Sequence, residues 1–227
     1  MNLVMQRLRI RFGRGEEIKF ISHLDIMRLW DRAFHRARIP LAYSEGFNPH
    51  PKMSLAVPLA VGVTSEAELM DVFVARPVTP HWFTTALNQQ LPTGITILGV
   101  FQTALTLPSL QSQVRYADYR VRLETTEDGA KDIEASVTAL LAAERLPWQH
   151  RRDTGQRSYD LRALIDELRV VSVTGSVCTL EMKLRCDSGG AGRPEQVVLA
   201  LNLPNGLALG FTQHPQSIHR TKLTLDV

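Results

Sequence analysis

Cysteine is scarce in this chain: Cys178 and Cys186 are the two thiols in 227 residues. They lie eight residues apart in CTLEMKLRC, a segment with no turn residue. Extended at roughly 3.3 Å per residue, that spacing far exceeds the Cα separation a disulfide tolerates. Two reduced thiols are therefore expected, and a pair also cannot supply the three thiolates that hold a radical enzyme's iron–sulfur cluster. Long hydrophobic runs are also missing; none approaches the roughly 18 to 20 residues needed to span a bilayer. The opening MNLVMQRLRIRF lacks the apolar stretch and small-residue cleavage site of a signal peptide. A cytoplasmic protein with no membrane partner is expected. There is no His-Glu-x-x-His, Walker loop, paired-glycine dinucleotide fingerprint or nucleophile elbow. His81, His150, His214 and His219 stand alone in the sequence.

What is present is the composition of an ordinary globular protein. The chain is 44% apolar and 22% charged, which argues against both disorder and a coiled coil. Its 227 residues suit one large domain or two of about 100 to 115 residues, either large enough to bury a core. The net charge of +3 is unevenly spread. Residues 1–52 hold ten Lys/Arg against five Asp/Glu, residues 53–114 one against three, and the rest fifteen of each. A positive front end points toward an anionic partner, either nucleic acid or an acidic protein face.

RLRIRF (7–12) sets Leu8, Ile10 and Phe12 against Arg7, Arg9 and Arg11, the alternation of a half-buried strand. After a Gly-Arg-Gly turn, Ser22 opens a helix, with Asp25 three residues on as an acidic capping partner. Met27, Trp30, Phe34 and Ala37 form its expected buried stripe, and Arg28, Arg32 and Arg36 a cationic one. Pro40 ends the helix, and LAYSEGFNPHPK (41–52) reads as a structured loop. Strands at 53–62 and 68–76, a helix at 79–91 and a strand at 95–102 complete a βαββαβ order, the split βαβ unit.

A polar link (106–113) follows, and the pattern restarts. Strands are read at 115–124, 147–152, 158–165, 176–185 and 218–225, with helices at 131–144 and 194–202. DSGGAGR (187–193) reads as a flexible loop. Arg9-Ile10-Arg11 and Arg120-Val121-Arg122 open the two halves alike, a weak internal repeat. The expected architecture is α+β, with tandem ferredoxin-like (βαββαβ) domains carrying antiparallel sheets, at 1–105 and 114–227.

Residues 7–52 carry the chemistry. Ser22, His23 and Asp25 sit where a helix N-terminus favours anions, although capping alone explains Ser22 and Asp25. In Tyr43-Ser44-Glu45-Gly46-Phe47-Asn48-Pro49-His50-Pro51-Lys52, two prolines restrain a loop rich in polar and aromatic side chains. His50 and Lys52 suit phosphate, and Tyr43 and Phe47 suit base stacking. Arg28, Arg32 and Arg36, with the strand row Arg7, Arg9 and Arg11, suit phosphate recognition through the guanidinium fork. Solvated charged faces are the ordinary alternative. His23, Asp25 and His50 are too few for a convincing metal site, so none is expected.

The string from Phe20 to Gly62 resembles a bacterial family of radical-SAM-associated proteins, through Phe20-Ile21-Ser22-His23-Leu24-Asp25 and Tyr43 through Lys52. The likeness continues more weakly at Asp160-Leu161-Arg162, Arg193-Pro194-Glu195 and His219-Arg220. The resemblance implies a radical SAM enzyme as partner, whose iron–sulfur cluster and SAM would belong to that enzyme, leaving this chain without a cofactor. Neighbouring genes in that family, for an RNase of the G/E type and ribosomal proteins, imply an RNA or ribosome-related setting. The expected fold also looks like that of CRISPR repeat-processing endoribonucleases, an analogy that does not carry function.

The expected function is a non-catalytic RNA-binding or substrate-presenting partner of that enzyme. Ser22, His23, Asp25, Arg28, Arg32, Arg36, Tyr43, Ser44, Glu45, Phe47, Asn48, His50 and Lys52 are its expected binding residues. One alternative is a metal-independent endoribonuclease with His23 and His50 as acid and base and Lys52 stabilising charge on phosphate. Another is a protein-interaction subunit with no RNA role.

Overall fold

The computed structural model describes residues 5–125, 127–152, 155–201 and 215–226. It divides into two units, Met1–Val114 with Asp226–Val227, and Arg115–Leu225. Each is α+β, with a mostly antiparallel sheet and few helices.

Unit 1 runs β1 (Gln6–Arg14), α1 (His23–Arg36), β2 (Met53–Leu55), β3 (Val63–Val74), α2 (Pro80–Asn88), β4 (Ile95–Thr103) and α3 (Leu110–Gln113). Its strands lie in the order β4-β1-β3-β2, each antiparallel to its neighbour. The period of two in β1 does what alternation demands. Leu8, Ile10 and Phe12 are fully buried and join Trp30 and Phe34 of α1 and Phe83 of α2 in one core. Aromatic rings carry much of that core. Phe12 meets Trp30 edge-on with ring centres 4.9 Å apart, and Trp30 stacks on Phe34 at 5.5 Å.

Three expectations need correction here. The buried stripe of α1 is Ile26, Trp30, Ala33 and Phe34, with Met27 and Ala37 only half-buried. The small Ala33 is fully buried in the unit 1 core. The expected strand 53–62 pairs only over Met53–Leu55, while β3 begins at Val63, earlier than expected. The third concerns the arginines of β1. Arg7 is 3% exposed and Arg9 half-buried, and both are bound to Asp71, so neither forms an open phosphate-binding row.

Unit 2 runs β5 (Val114–Glu124), α4 (Glu127–Ala142), β6 (Pro147–Arg152), β7 (Gly155–Asp160), β8 (Ile165–Thr174), β9 (Val177–Asp187), β10 (Gly190–Ala191), α5 (Pro194–Leu201) and β11 (Ser217–Leu225). The order is β8-β9-β5-β11, with β10 also on β9 and β6-β7 a separate hairpin. Val121 and Leu123 of β5, Leu180 and Leu184 of β9, and Val197 of α5 are fully buried. The sequence reading assigned no strand to 166–175; most of that stretch is β8. DSGGAGR is not a featureless loop, because Gly190 and Ala191 pair back onto Asp187 and Cys186. His214, and Asn202 at the expected end of α5, lie outside the described residues. Both cysteines are free and buried, and burial pushes the Cys178 thiol up to about 11.

Candidate functional site

The FISHLD segment is held in place by an arginine. Arg14, 3% exposed at the end of β1, donates to the carbonyl oxygens of Ile18 (3.3 Å), Lys19 (3.3 Å) and Ile21 (2.5 Å). Those three acceptors fix the approach to α1. Ser22 then caps the helix: its Oγ accepts from the Asp25 N–H (3.2 Å) and donates to the Asp25 carboxylate (2.7 Å). That hydroxyl, helped by Arg28 at 3.3 Å, holds the exposed Asp25 carboxyl below its ordinary range. His23 is solvent-facing on the first turn. Beside it lies an exposed apolar group, Phe20 (72% exposed), Leu24 (65%) and Val61 (58%). Gly62, next to Val61, takes the left-handed φ of +86° that L side chains rarely adopt, and its N–H donates to the Lys19 carbonyl (2.8 Å).

The loop from Tyr43 to Lys52 is closed at its neck. The Ser44 N–H donates to the His50 carbonyl (2.8 Å), and the His50 N–H donates back to Ser44 Oγ (3.0 Å). Lys52 N–H donates to the Ala42 carbonyl (2.8 Å), and the Lys52 carbonyl accepts from Phe73 N–H (2.9 Å), tying the base of the loop to β3. Glu45, Phe47, Asn48 and His50 project into solvent, and Phe47 is fully exposed. Gly46 adopts φ +122°, a conformation L side chains rarely take, at the turn that sets Phe47 outward. Tyr43 Oη lies 3.3 Å from His35 Nε2, and His35 lies 3.3 Å from Asp31, so the loop is braced on the second half of α1. Burial, with the nearby Asp31 charge, pushes the Tyr43 hydroxyl above its ordinary value.

The expected site residues thus fall into three groups. Ser22, Asp25 and Arg28 form the helix cap, Tyr43 joins Asp31 and His35, and Ser44 joins His50. No hydrogen bond or ion pair among the described residues links the cap to the loop. His35, which braces the loop, lies twelve residues beyond His23, about 18 Å at 1.5 Å per residue. Of the helix arginines, Arg28 is 70% exposed, Arg36 is tied to the Gln90 carbonyl (2.8 Å), and Arg32 is exposed without a partner among the described residues. The Lys52 side chain is half-buried. Among the described residues, no group of three metal-ligating side chains occurs.

Sequence reasoning missed Arg14 and Asp71. Arg14 falls out of step with Arg7, Arg9 and Arg11, since Gly13 holds the next alternate position and the register shifts between Phe12 and Arg14, so alternation gave no signal for it. Asp71 stands opposite Arg9 in the strand register and accepts four hydrogen bonds of 2.5–3.1 Å from Arg7 and Arg9.

Residues 7–194 match the family described as an uncharacterized protein conserved in bacteria (DUF2344). The chain belongs to that family. The match covers all of α1, the Tyr43–Lys52 loop and unit 2 as far as Pro194. No curated protein matches in sequence. Among solved structures, a Cbf5-Nop10-Gar1 complex is similar at TM-score 0.50 and 9% identity, over 95% of this chain and 48% of that one. An archaeal box H/ACA Nop10-Cbf5 complex follows at 0.49 and 9%, over 96% and 48%. The chain spans about half the length of these solved chains, and at such identity the likeness concerns fold alone. Among the described residues, no helix is long and apolar enough to cross a membrane.

Proposed function

We propose that the protein is a non-catalytic, cytoplasmic RNA-binding partner of a radical SAM enzyme, contacting RNA through the outer face of α1 and the Tyr43–Lys52 loop. The observation that carries this reading is Phe47, fully exposed on a loop whose neck is clamped by Ser44 and His50. Holding an aromatic ring in water on a pre-ordered loop stabilises nothing within the chain, but it suits stacking on an unpaired base. Arg28 and Arg32 add exposed cations on α1, and His50 and Asn48 add polar groups at the loop. The enzyme partner rests on the sequence resemblance alone. Both units are read here as ferredoxin-like. The order β4-β1-β3-β2 and its counterpart β8-β9-β5-β11 support that, with the β6-β7 hairpin as an insertion.

The test is titration of the full chain with short single-stranded RNA at several salt concentrations. Expected is affinity that falls as salt rises, with a slope of about 0.7 per phosphate contacted. Affinity absent at low salt, or indifferent to salt, sinks the RNA reading.

A second reading has its own observation. Phe20, Leu24 and Val61 give the start of α1 an exposed apolar surface, which suits docking of the partner enzyme. Co-purification with that enzyme, lost on Leu24→Asp and accompanied by no RNA binding, would favour an interaction subunit. The endoribonuclease alternative gains no support, since among the described residues no hydrogen bond or ion pair joins His23 to His50 and the loop is braced three turns along α1 from His23.

A further inference from the structure

Between Arg76 and Arg115 the chain carries no Lys, Arg, Asp or Glu. In a chain that is 22% charged, so long a neutral stretch is a signal, and the fold leaves much of it on the surface. It contains α2, β4 and the segment that follows β4. Five of its large apolar side chains are exposed: Trp82, Leu98, Phe101, Leu105 and Leu107. A surface stripped of charge and holding aromatic rings has the composition of a protein interface, and it offers no cation to the phosphates of a nucleic acid.

β4 lies in the middle of that stretch, and it is an edge strand. Among the described residues it pairs with β1 alone. One flank of ITILGVFQT therefore presents a row of N–H and C=O groups with no strand beside it. Ile97 and Val100 pack against the core yet stay half-buried.

Soluble chains blunt such edges with charge, proline, shortness or bulges. β2, on β3, is three residues long. β8, on β9, carries Asp166, Glu167 and Arg169 and is bulged twice. β4 has nine residues, no charge and no proline. Its one protection is a bulge at Leu98, where Arg11 and Phe12 stand opposite Gly99 and Ile97. Beyond the bulge, residues 99–103 are regular, each opposite one of residues 7–11. The centre of that segment is Phe101. Its ring folds back along its own strand, since a Cβ on Gly99 would meet it at 2.8 Å, and the residue is still 56% exposed.

We propose that β4 is a dimerisation edge, on which two copies of this chain pair antiparallel about a two-fold axis through Phe101. In that register Phe101 stands opposite Phe101 of the second copy, Val100 opposite Gln102 and Gly99 opposite Thr103. The bulge at Leu98 falls outside the paired residues. No like charges meet, because neither strand carries any. The two rings form an aromatic cross-strand pair at the centre. Assembly stops at two copies, because each edge is used up by the same edge of its mate. A foreign strand would need the same neutral, aromatic-centred edge, and the chain already supplies one.

The experiment is sedimentation of the full chain across the micromolar range. The mass should rise toward twice that of one chain. Phe101→Lys sets two like charges opposite each other and should weaken association at least about tenfold. Thermal unfolding of the dilute variant should match the parent, because the side chain is exposed. Phe101→Cys tests the register. Opposed Cα atoms of antiparallel strands lie about 4.5 to 5.5 Å apart, within disulfide range, so oxidation should link two copies. Leu98→Cys is the control: its two copies would be offset by six residues, roughly 20 Å, and should not link. Cys178 and Cys186 are buried and should give no background. A chain that stays monomeric, or a dimer that Phe101→Lys leaves intact, overturns the edge pairing. Equal linking through Leu98→Cys and Phe101→Cys overturns the register. A monomer that captures the partner enzyme, and loses it on Phe101→Lys, gives the edge to that enzyme and overturns self-pairing. The RNA reading is tested separately, because Phe47→Ala should leave sedimentation unchanged.

Discussion

Arg7 and Arg9 on β1 and Arg28 and Arg32 on α1 stand in similarly regular rows, but they meet different surroundings. β1 is an inner strand, flanked by β3 and β4. Its second face is covered at Arg7 and largely so at Arg9, while Arg11 further along stays exposed. Arg7 donates to the Leu107 and Pro108 carbonyls (2.7 and 2.8 Å), and Arg9 reaches Gln113 (3.3 Å). Burial at that depth is tolerable because Asp71 accepts from both. α1 buries one stripe and leaves the opposite face to solvent, where Arg32 needs no partner. A row of cations in a sequence therefore says little about binding until its strand is known to be an edge or its helix face to be outward.

The largest test of that contrast removes the shared anion. Asp71→Asn leaves one buried and one half-buried guanidinium group with one neutral acceptor between them. Truncating one side of a buried ion pair costs about 3–5 kcal/mol. Urea unfolding of the variant should show a loss on that scale, together with a lowered midpoint. A loss under about 1 kcal/mol would mean the arginines relax to water, and the two rows would then be alike.

Phe47→Ala probes the outward side. The ring is fully exposed, so unfolding free energy should stay within about 0.5 kcal/mol of the parent. RNA affinity should fall by about 1–3 kcal/mol if the ring stacks on a base. Unchanged affinity would leave the loop without a role in RNA binding.

The same contrast shows what could be read from residues alone. Alternation in RLRIRF gave β1 and its buried face, and Ser22 with Asp25 gave the start of α1, because both signals are local. β8 escaped because IDELRVVSVT follows no clean alternation: Ile165 and Leu168 are buried, most of the remaining residues are exposed, and the pairing with β9 is bulged. The clamp of Arg7 and Arg9 on Asp71 spans more than sixty residues, so spacing within β1 could not reveal it. Within the candidate site, the loop's outward chemistry was legible, while its brace, Tyr43 on His35, depends on where α1 ends up.

Ser22→Ala is expected to cost about 1 kcal/mol, the usual scale for a helix cap. The accompanying pH effect has a definite sign. The Ser22 hydroxyl, with Arg28, lowers the Asp25 carboxyl in the folded chain. Its contribution to stability is present above the ordinary carboxylate range and lost as pH falls through the lowered value. In the variant that loss should be smaller. A Ser22→Ala protein with the parent's acid-side pH profile would show that the hydroxyl does not hold the carboxylate.

The smallest expected effect separates the rows most cleanly. Arg32→Ala removes an exposed cation with no described partner, so stability should move by no more than about 0.5 kcal/mol. If Arg32 meets a phosphate, the salt dependence of RNA binding should lose about 0.7 from its slope. Arg28→Ala supplies the internal control. Arg28 already faces Asp25 at 3.3 Å, so part of its charge is spent within the helix and its slope change should be smaller. Equal slope changes for the two variants would mean that Asp25 does not compete with phosphate for Arg28. No change for either would place the RNA path away from α1 and leave the loop alone to account for binding.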